Sequence, residues 1–171
     1  MAKRQPLSVS EQIAAMRQRL DAVLASMPDP LDAPTVRQMH ALRRRRTQLE
    51  GAFAMSAQAL AAVEHATARH QRAAEALADH RQEIAEVDRI VAEAEAAKAA
   101  TTDPPMVSFH ERTAETAATE AARLRATSWS WELQVADRAA VLSDARARCD
   151  LRLAEWAECL ASAPTTADAS V

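Results

Sequence analysis

Residues that close a backbone on phosphate, or that fill a thick core, are nearly missing here. The 171 residues hold one Gly (Gly51), no Tyr and two Phe. A Gly-rich phosphate loop or a dinucleotide-binding turn needs several glycines at fixed spacing, so both are excluded. Cysteine is also scarce. Cys149 and Cys159 lie ten positions apart on one predicted helix, about 15 Å along its axis, which is beyond disulfide reach. Reduced thiols and a cytoplasmic location are expected. No apolar run approaches the roughly 18 residues of a bilayer span, and none follows Lys3 and Arg4, so neither a signal peptide nor a transmembrane helix is expected. Charge of one sign is missing too: the formal net charge is −3, where a dedicated nucleic-acid binder usually carries a clearly basic domain.

Alanine and charge are what the chain does have. Hydrophobic residues make up 49% of it, but 43 of them are alanine, the best helix former. The prediction is an all-α chain held by narrow seams. Two proline clusters, Pro28–Pro34 and Pro104–Pro105, divide it into three helices. The first, over 9–27, opens with a capping box of Ser8 and Glu11 and carries Ile13, Met16, Leu20, Val23 and Met27 as one apolar stripe. After a Pro-rich turn at 28–34, the second runs from about Ala33 to Ala99, with Asp32 as its candidate cap. The third opens with a second capping box, Ser108 and Glu111, and runs to about Ser162. Disorder is expected for 1–8 and 163–171.

The two long helices repeat every seven residues, as a coiled-coil partner requires. Leu42, Leu49, Ser56, Val63, His70, Leu77, Ile84 and Val91 form one row, with Phe53, Leu60, Thr67 and Ala74 as its companion. In the third helix Val135, Leu142, Cys149 and Trp156 repeat likewise, flanked by Trp131, Ala139, Leu153 and Leu160. A short connection folds such helices back antiparallel. The expected architecture over 35–162 is therefore a long two-helix hairpin with its tip at 99–108. In register, Leu77 meets Trp131, Leu60 meets Cys149, Phe53 meets Trp156 and Ile84 meets Leu124. The short first helix brings Leu20 near Leu42 and Ile13 near Leu49, making a three-helix base.

Six features are weighed as sites. Arg43, Arg44, Arg45 and Arg46, joined by Arg37 and His40, form the strongest charge run. Such a run can contact phosphate or an acidic protein, but four consecutive positions point around most of the helix, and no aromatic is interleaved to stack bases. Nucleic acid is therefore a weaker expectation than a protein partner. Trp129 lies two positions from the seam residue Trp131 and so points outward, a contact anchor. His70 opposite Arg138 forms a polar seam layer that fixes register or titrates. None of His40, His65, His70, His80 and His110 has the i,i+3 or i,i+4 partner of a helical metal site, and no cofactor is expected. Cys149 reads as a small apolar filler, because neither a base nor a helix start is near to activate it. Glu83, Glu86, Glu93 and Glu95 have no cleft to converge in and read as a solvated face. Nothing here assembles an enzyme site.

The Arg43–Arg46 run, the seven-residue stripe through Leu77, Ile84 and Val91, and the helix Trp129–Leu160 resemble FliJ-like stalk proteins of flagellar export and their type III secretion counterparts. The resemblance covers Thr35 to Leu160 and lies in pattern, with no residue to carry over as a functional position. It implies a hairpin like the central shaft of rotary ATPases, which enters the pore of a hexameric export ATPase and links it to the export gate. The extra first helix departs from the simplest two-helix pattern. A phage or mobile-element scaffolding or inhibitor protein fits the same pattern, as does self-association through the same heptads.

Overall fold

A computed structural model describes residues 7–163, and these are all-helical: a short N-terminal helix precedes two long helices that pack against each other as an antiparallel hairpin. The disorder expected for 1–6 and 164–171 lies outside the described residues. Ser8 and Ala163, placed in those tails by the sequence, instead cap α1 and pack on the core.

Helix α1 spans Val9–Ser26. Its capping box is formed in both directions, Glu11 N–H donating to Ser8 Oγ at 3.3 Å and Ser8 N–H to Glu11 Oε2 at 2.7 Å. It stops because Pro28 forces the preceding Met27 out of helical geometry, to ψ 144°. A single 3-10 turn, Pro30–Asp32, follows, capped by Asp29, whose Oδ1 accepts from Leu31 N–H at 2.8 Å.

Helix α2 is Val36–Ala100 and α3 is Pro104–Ala161. Both begin elsewhere than the sequence predicts. The cap of α2 is Thr35: its Oγ1 accepts from Gln38 N–H at 3.2 Å and donates to Gln38 Oε1 at 2.7 Å. Thr35-x-x-Gln38 is itself a capping-box pattern, and Asp32 is held in the 3-10 turn instead. The Ser108–Glu111 box is not used. Pro104 and Pro105 occupy the first helical positions, where a missing N–H costs nothing and φ is already set, and the Asp103 carbonyl accepts the first bond, from Val107 N–H at 2.9 Å. Glu111 is thereby left free to pair with Lys98.

The chain divides into two compact units, 7–67 with 142–163, and 68–141. In the first, α1 lies against the opening of α2 and the end of α3. Met16, Leu20, Met27, Leu49, Leu60, Cys149 and Trp156 are buried together, with Ile13, Leu42, Phe53, Val63, Leu153 and Leu160 packed around them. Leu20 and Leu49 are fully buried, and truncating either to Ala removes about 2–5 kcal/mol. Phe53 meets Trp156 edge to face at 5.9 Å, the expected pairing. Ser56 is also fully buried and donates to the Arg152 carbonyl at 2.9 Å, so the seam is closed by a small residue that satisfies its own hydroxyl. Leu142 and Ala145 continue the seam against Ala66.

The second unit is two helices only, and its core is correspondingly thin: Leu77, His80, Ala94, Ala121 and Leu124 are buried, with Ile84, Trp131 and Val135 half-buried beside them. Arg81 with Glu132, Asp88 with Arg125 and Lys98 with Glu111 bridge α2 and α3 at 2.9, 2.5 and 2.7 Å. One partner's number falls as the other's rises, as antiparallel packing requires. Each such exposed pair contributes about 0.2–1 kcal/mol.

Along α2 the companion row differs from the expected Thr67 and Ala74. Ala66 is buried and Thr67 exposed, and the row continues through His80 and Ala94. From Val63 onward it lies three positions after the leucine row rather than four. The expected spacing would next have brought Arg81 into the seam. The observed one leaves that guanidinium outside, on Glu132, and admits a ring that can hydrogen-bond.

Candidate protein-contact face

The four consecutive arginines divide into two pairs with different tasks. Arg43 and Arg44 are exposed, whereas Arg45 and Arg46 are half-buried. Arg45 Nη2 donates to the Cys159 carbonyl at 2.7 Å and to Ser162 Oγ. Arg46 Nη2 reaches the carbonyls of Leu24 and Pro28 at 3.5 and 3.4 Å. The last carbonyls of a helix have no internal partner and carry the negative end of its dipole, so a guanidinium there is favourable. Two adjacent arginines of α2 thus close two helix ends, Arg45 that of α3 and Arg46 that of α1. Both heads are engaged within the molecule, and the exposed residues left from the run are Arg43 and Arg44.

Trp129 is 66% exposed on α3. Two positions on, Trp131 turns inward, its ring 5.8 Å from that of His80. Trp129 does not stand alone. Leu133, one turn further, is 52% exposed, and Ala126, Ala136 and Ala140 are exposed at spacings of three and seven from these two. Positions 126, 129, 133, 136 and 140 make a second heptad stripe on α3, apolar throughout and with no helix against it among the described residues. The i,i+4 relation of Trp129 and Leu133 and the alternating steps were readable in the sequence. The seam through Val135 and Leu142 claimed the helix first and hid them.

His70 and Arg138, expected as the polar layer, are only half-buried. His80 fills that role, because the three-residue step from Leu77 turns it into the seam: Nε2 lies 3.0 Å from the Leu124 carbonyl and 3.3 Å from Ser128 Oγ, and Nδ1 lies 4.0 Å from Glu83. The Leu124 carbonyl also accepts from the hydroxyls of Thr127 and Ser128, so the segment of α3 facing the ring is rich in hydroxyls that bond back onto their own helix.

Cys149 is buried, and burial, with Asp150 next to it, pushes its thiol above the ordinary range. That is the reverse of what activates a nucleophile. Among the described residues no cluster of three His, Cys, Asp or Glu could hold a metal ion, and no helix is long and apolar enough to cross a membrane.

No family of known proteins matches this chain, and neither does any curated protein or solved structure.

Proposed function

We propose that this chain is a non-enzymatic coiled-coil stalk or scaffold that works by protein contact in the cytoplasm, of the kind that couples an export ATPase to other components in type III secretion or flagellar export. The observation that carries the contact reading is the unpartnered stripe through Trp129 and Leu133. An exposed tryptophan in an apolar row at heptad spacing is what a second helix docks against, and large aromatics dominate the energy of such contacts. The secretion setting is supported by the resemblance of the hairpin pattern alone.

The mechanism is mechanical. Side chains on the two units address different partners. Arg43 and Arg44 on one unit and the Trp129 stripe on the other provide two chemically distinct faces, one cationic and one apolar.

The experiment is a native pull-down of tagged protein from its own cells, run beside Trp129→Ser, Leu133→Ser and Arg43→Ala/Arg44→Ala. Recovery of a hexameric ATPase or an export-gate protein that Trp129→Ser releases supports the proposal. Recovery of capsid, defence or nucleic-acid proteins, or a partner set unchanged by all three variants, overturns it.

A further inference from the structure

A groove of about 540 Å³ runs along the 68–141 unit, with Val87 and Ile90 of α2 on one wall and Phe109, Thr113, Thr116 and Ala117 of α3 on the other. Phe109 is 60% exposed and Ile90 37% exposed. Nine positions separate Glu120, at the groove, from Trp129, so the two lie on opposite sides of α3. The groove is therefore a different surface from the Trp129 stripe, and what closes it is independent of what docks on that stripe.

The two walls carry opposite charge. On α2, Glu83, Glu86 and Glu93 stand seven before, four before and three after Ile90, the spacings that share a helix face, and all three are exposed. On α3 the matching positions around Thr116 are Arg112, four before, and Arg123, seven after. Arg112 has no ion pair among the described residues. Arg89 partly offsets the acidic wall through Glu86 and Glu93 at 2.5 Å, and Glu120 offsets Arg123 at 2.5 Å. The result is an apolar channel with an acidic bank and a basic bank.

We infer that this groove is closed by the same groove of a second copy of the chain, around a two-fold axis parallel to the two helices. Such an axis lays α2 of each copy over α3 of the other at the same height, acidic bank on basic bank. The Lys98–Glu111 and Asp88–Arg125 bridges fix which residues share a height. They put Arg112 of one copy within about one helical turn of Glu93 on the other, and Arg123 within about one turn of both Glu86 and Glu93. An axis perpendicular to the helices would instead lay α2 on α2 and set three glutamates against three. Charge thus selects the parallel arrangement, a local four-helix bundle, and the interface is isologous.

The size of the face sets the strength. Residues 83–100 span about 27 Å of helix, and two helices side by side are about 20 Å wide, so each copy contributes about 500 Å². A total near 1,000 Å² is at the lower end for specific interfaces and fits a weak, micromolar dimer.

Sedimentation velocity of the full chain from about 1 to 200 µM tests this. The expected result is a monomer–dimer equilibrium that raised salt weakens. Phe109→Ser and Thr116→Glu should each weaken it at least tenfold with helicity unchanged, since both residues are exposed in the monomer and a glutamate at 116 would face the acidic bank of the other copy. Arg112→Glu should weaken it similarly, and Arg112→Glu with Glu93→Arg should associate more tightly than Arg112→Glu alone, because the swap re-creates that pair across the two-fold even though position 93 loses the attraction of Arg123. In cells, a photo-cross-linking benzoylphenylalanine in place of Phe109 should capture a second copy. A monomer at 200 µM, a dimer indifferent to Phe109→Ser and Thr116→Glu, a swap that associates no better than Arg112→Glu alone, or capture of another protein at position 109 overturns the inference.

Discussion

Arg45 on α2 donates through Nη2 to the carbonyl of Cys159 at 2.7 Å, closing the end of α3. Its neighbour Arg46 does the same for α1. A hydrogen bond from a charged donor contributes about 1.5–3 kcal/mol. Arg45→Ala should therefore lower stability by about that amount, measured by urea unfolding, and Arg46→Ala somewhat less because its bonds are longer. Arg43→Ala and Arg44→Ala, on exposed positions, should stay within about 0.5 kcal/mol. Four equal effects would show that the run acts as a surface patch only.

His80 is the polar side chain on which the second unit closes. Its ring packs against Trp131 and bonds the Leu124 carbonyl. That carbonyl keeps hydroxyl partners in Thr127 and Ser128, so removing the ring costs packing more than it orphans an acceptor. His80→Ala should destabilise by about 2–4 kcal/mol and His80→Leu by less than half of that. Equal losses would mean the hydrogen bond, not the volume, dominates.

Gly51 lies inside α2 with open space where a Cβ would stand. Gly51→Ala should raise stability by about 0.4–1 kcal/mol, through the entropy of the unfolded chain. A calorimetric Tm that falls instead would reveal a contact of the backbone at that point.

Acid should loosen the molecule in a defined direction. Hydrogen bonds from Lys98 to Glu111, from Arg89 to Glu86, from Arg123 to Glu120 and from Ser8 to Glu11 hold these carboxyls below the usual range. A depressed folded value contributes stability above the unfolded value, and that stability is lost as pH falls through the folded one. Melting temperature should be flat from pH 7 to about 5 and decline below about 4.5, a decline that raised salt makes shallower because all four groups are exposed. A rise in Tm on acidification would contradict the pairing.

Helix type, antiparallel pairing and the Phe53–Trp156 match were legible in the sequence, because each rests on local spacing: three and four for a stripe, seven for a seam. The caps were half legible. Ser8 with Glu11 formed as read, and Thr35 with Gln38 was there to be read, but Asp32 and Ser108 lost to proline geometry at neighbouring positions. Trp129 was assigned outward by its two-residue offset from Trp131. Its companion Leu133 was missed because one helix carries two heptad stripes and the sequence does not say which is covered.

What the sequence determined by itself is the helices, for propensity and periodicity act within a few residues of chain. What only the tertiary structure decided is the rotation of each helix about its own axis. That rotation buried His80 rather than Arg81, spent Arg45 and Arg46 on helix ends while leaving Arg43 and Arg44 in water, and left the Trp129 stripe uncovered. Neighbouring positions differ by about 100° around a helix, and which angle faces the partner is settled by the cost of burying a charge against the gain of filling the seam. Both quantities exist only when the second helix is in place.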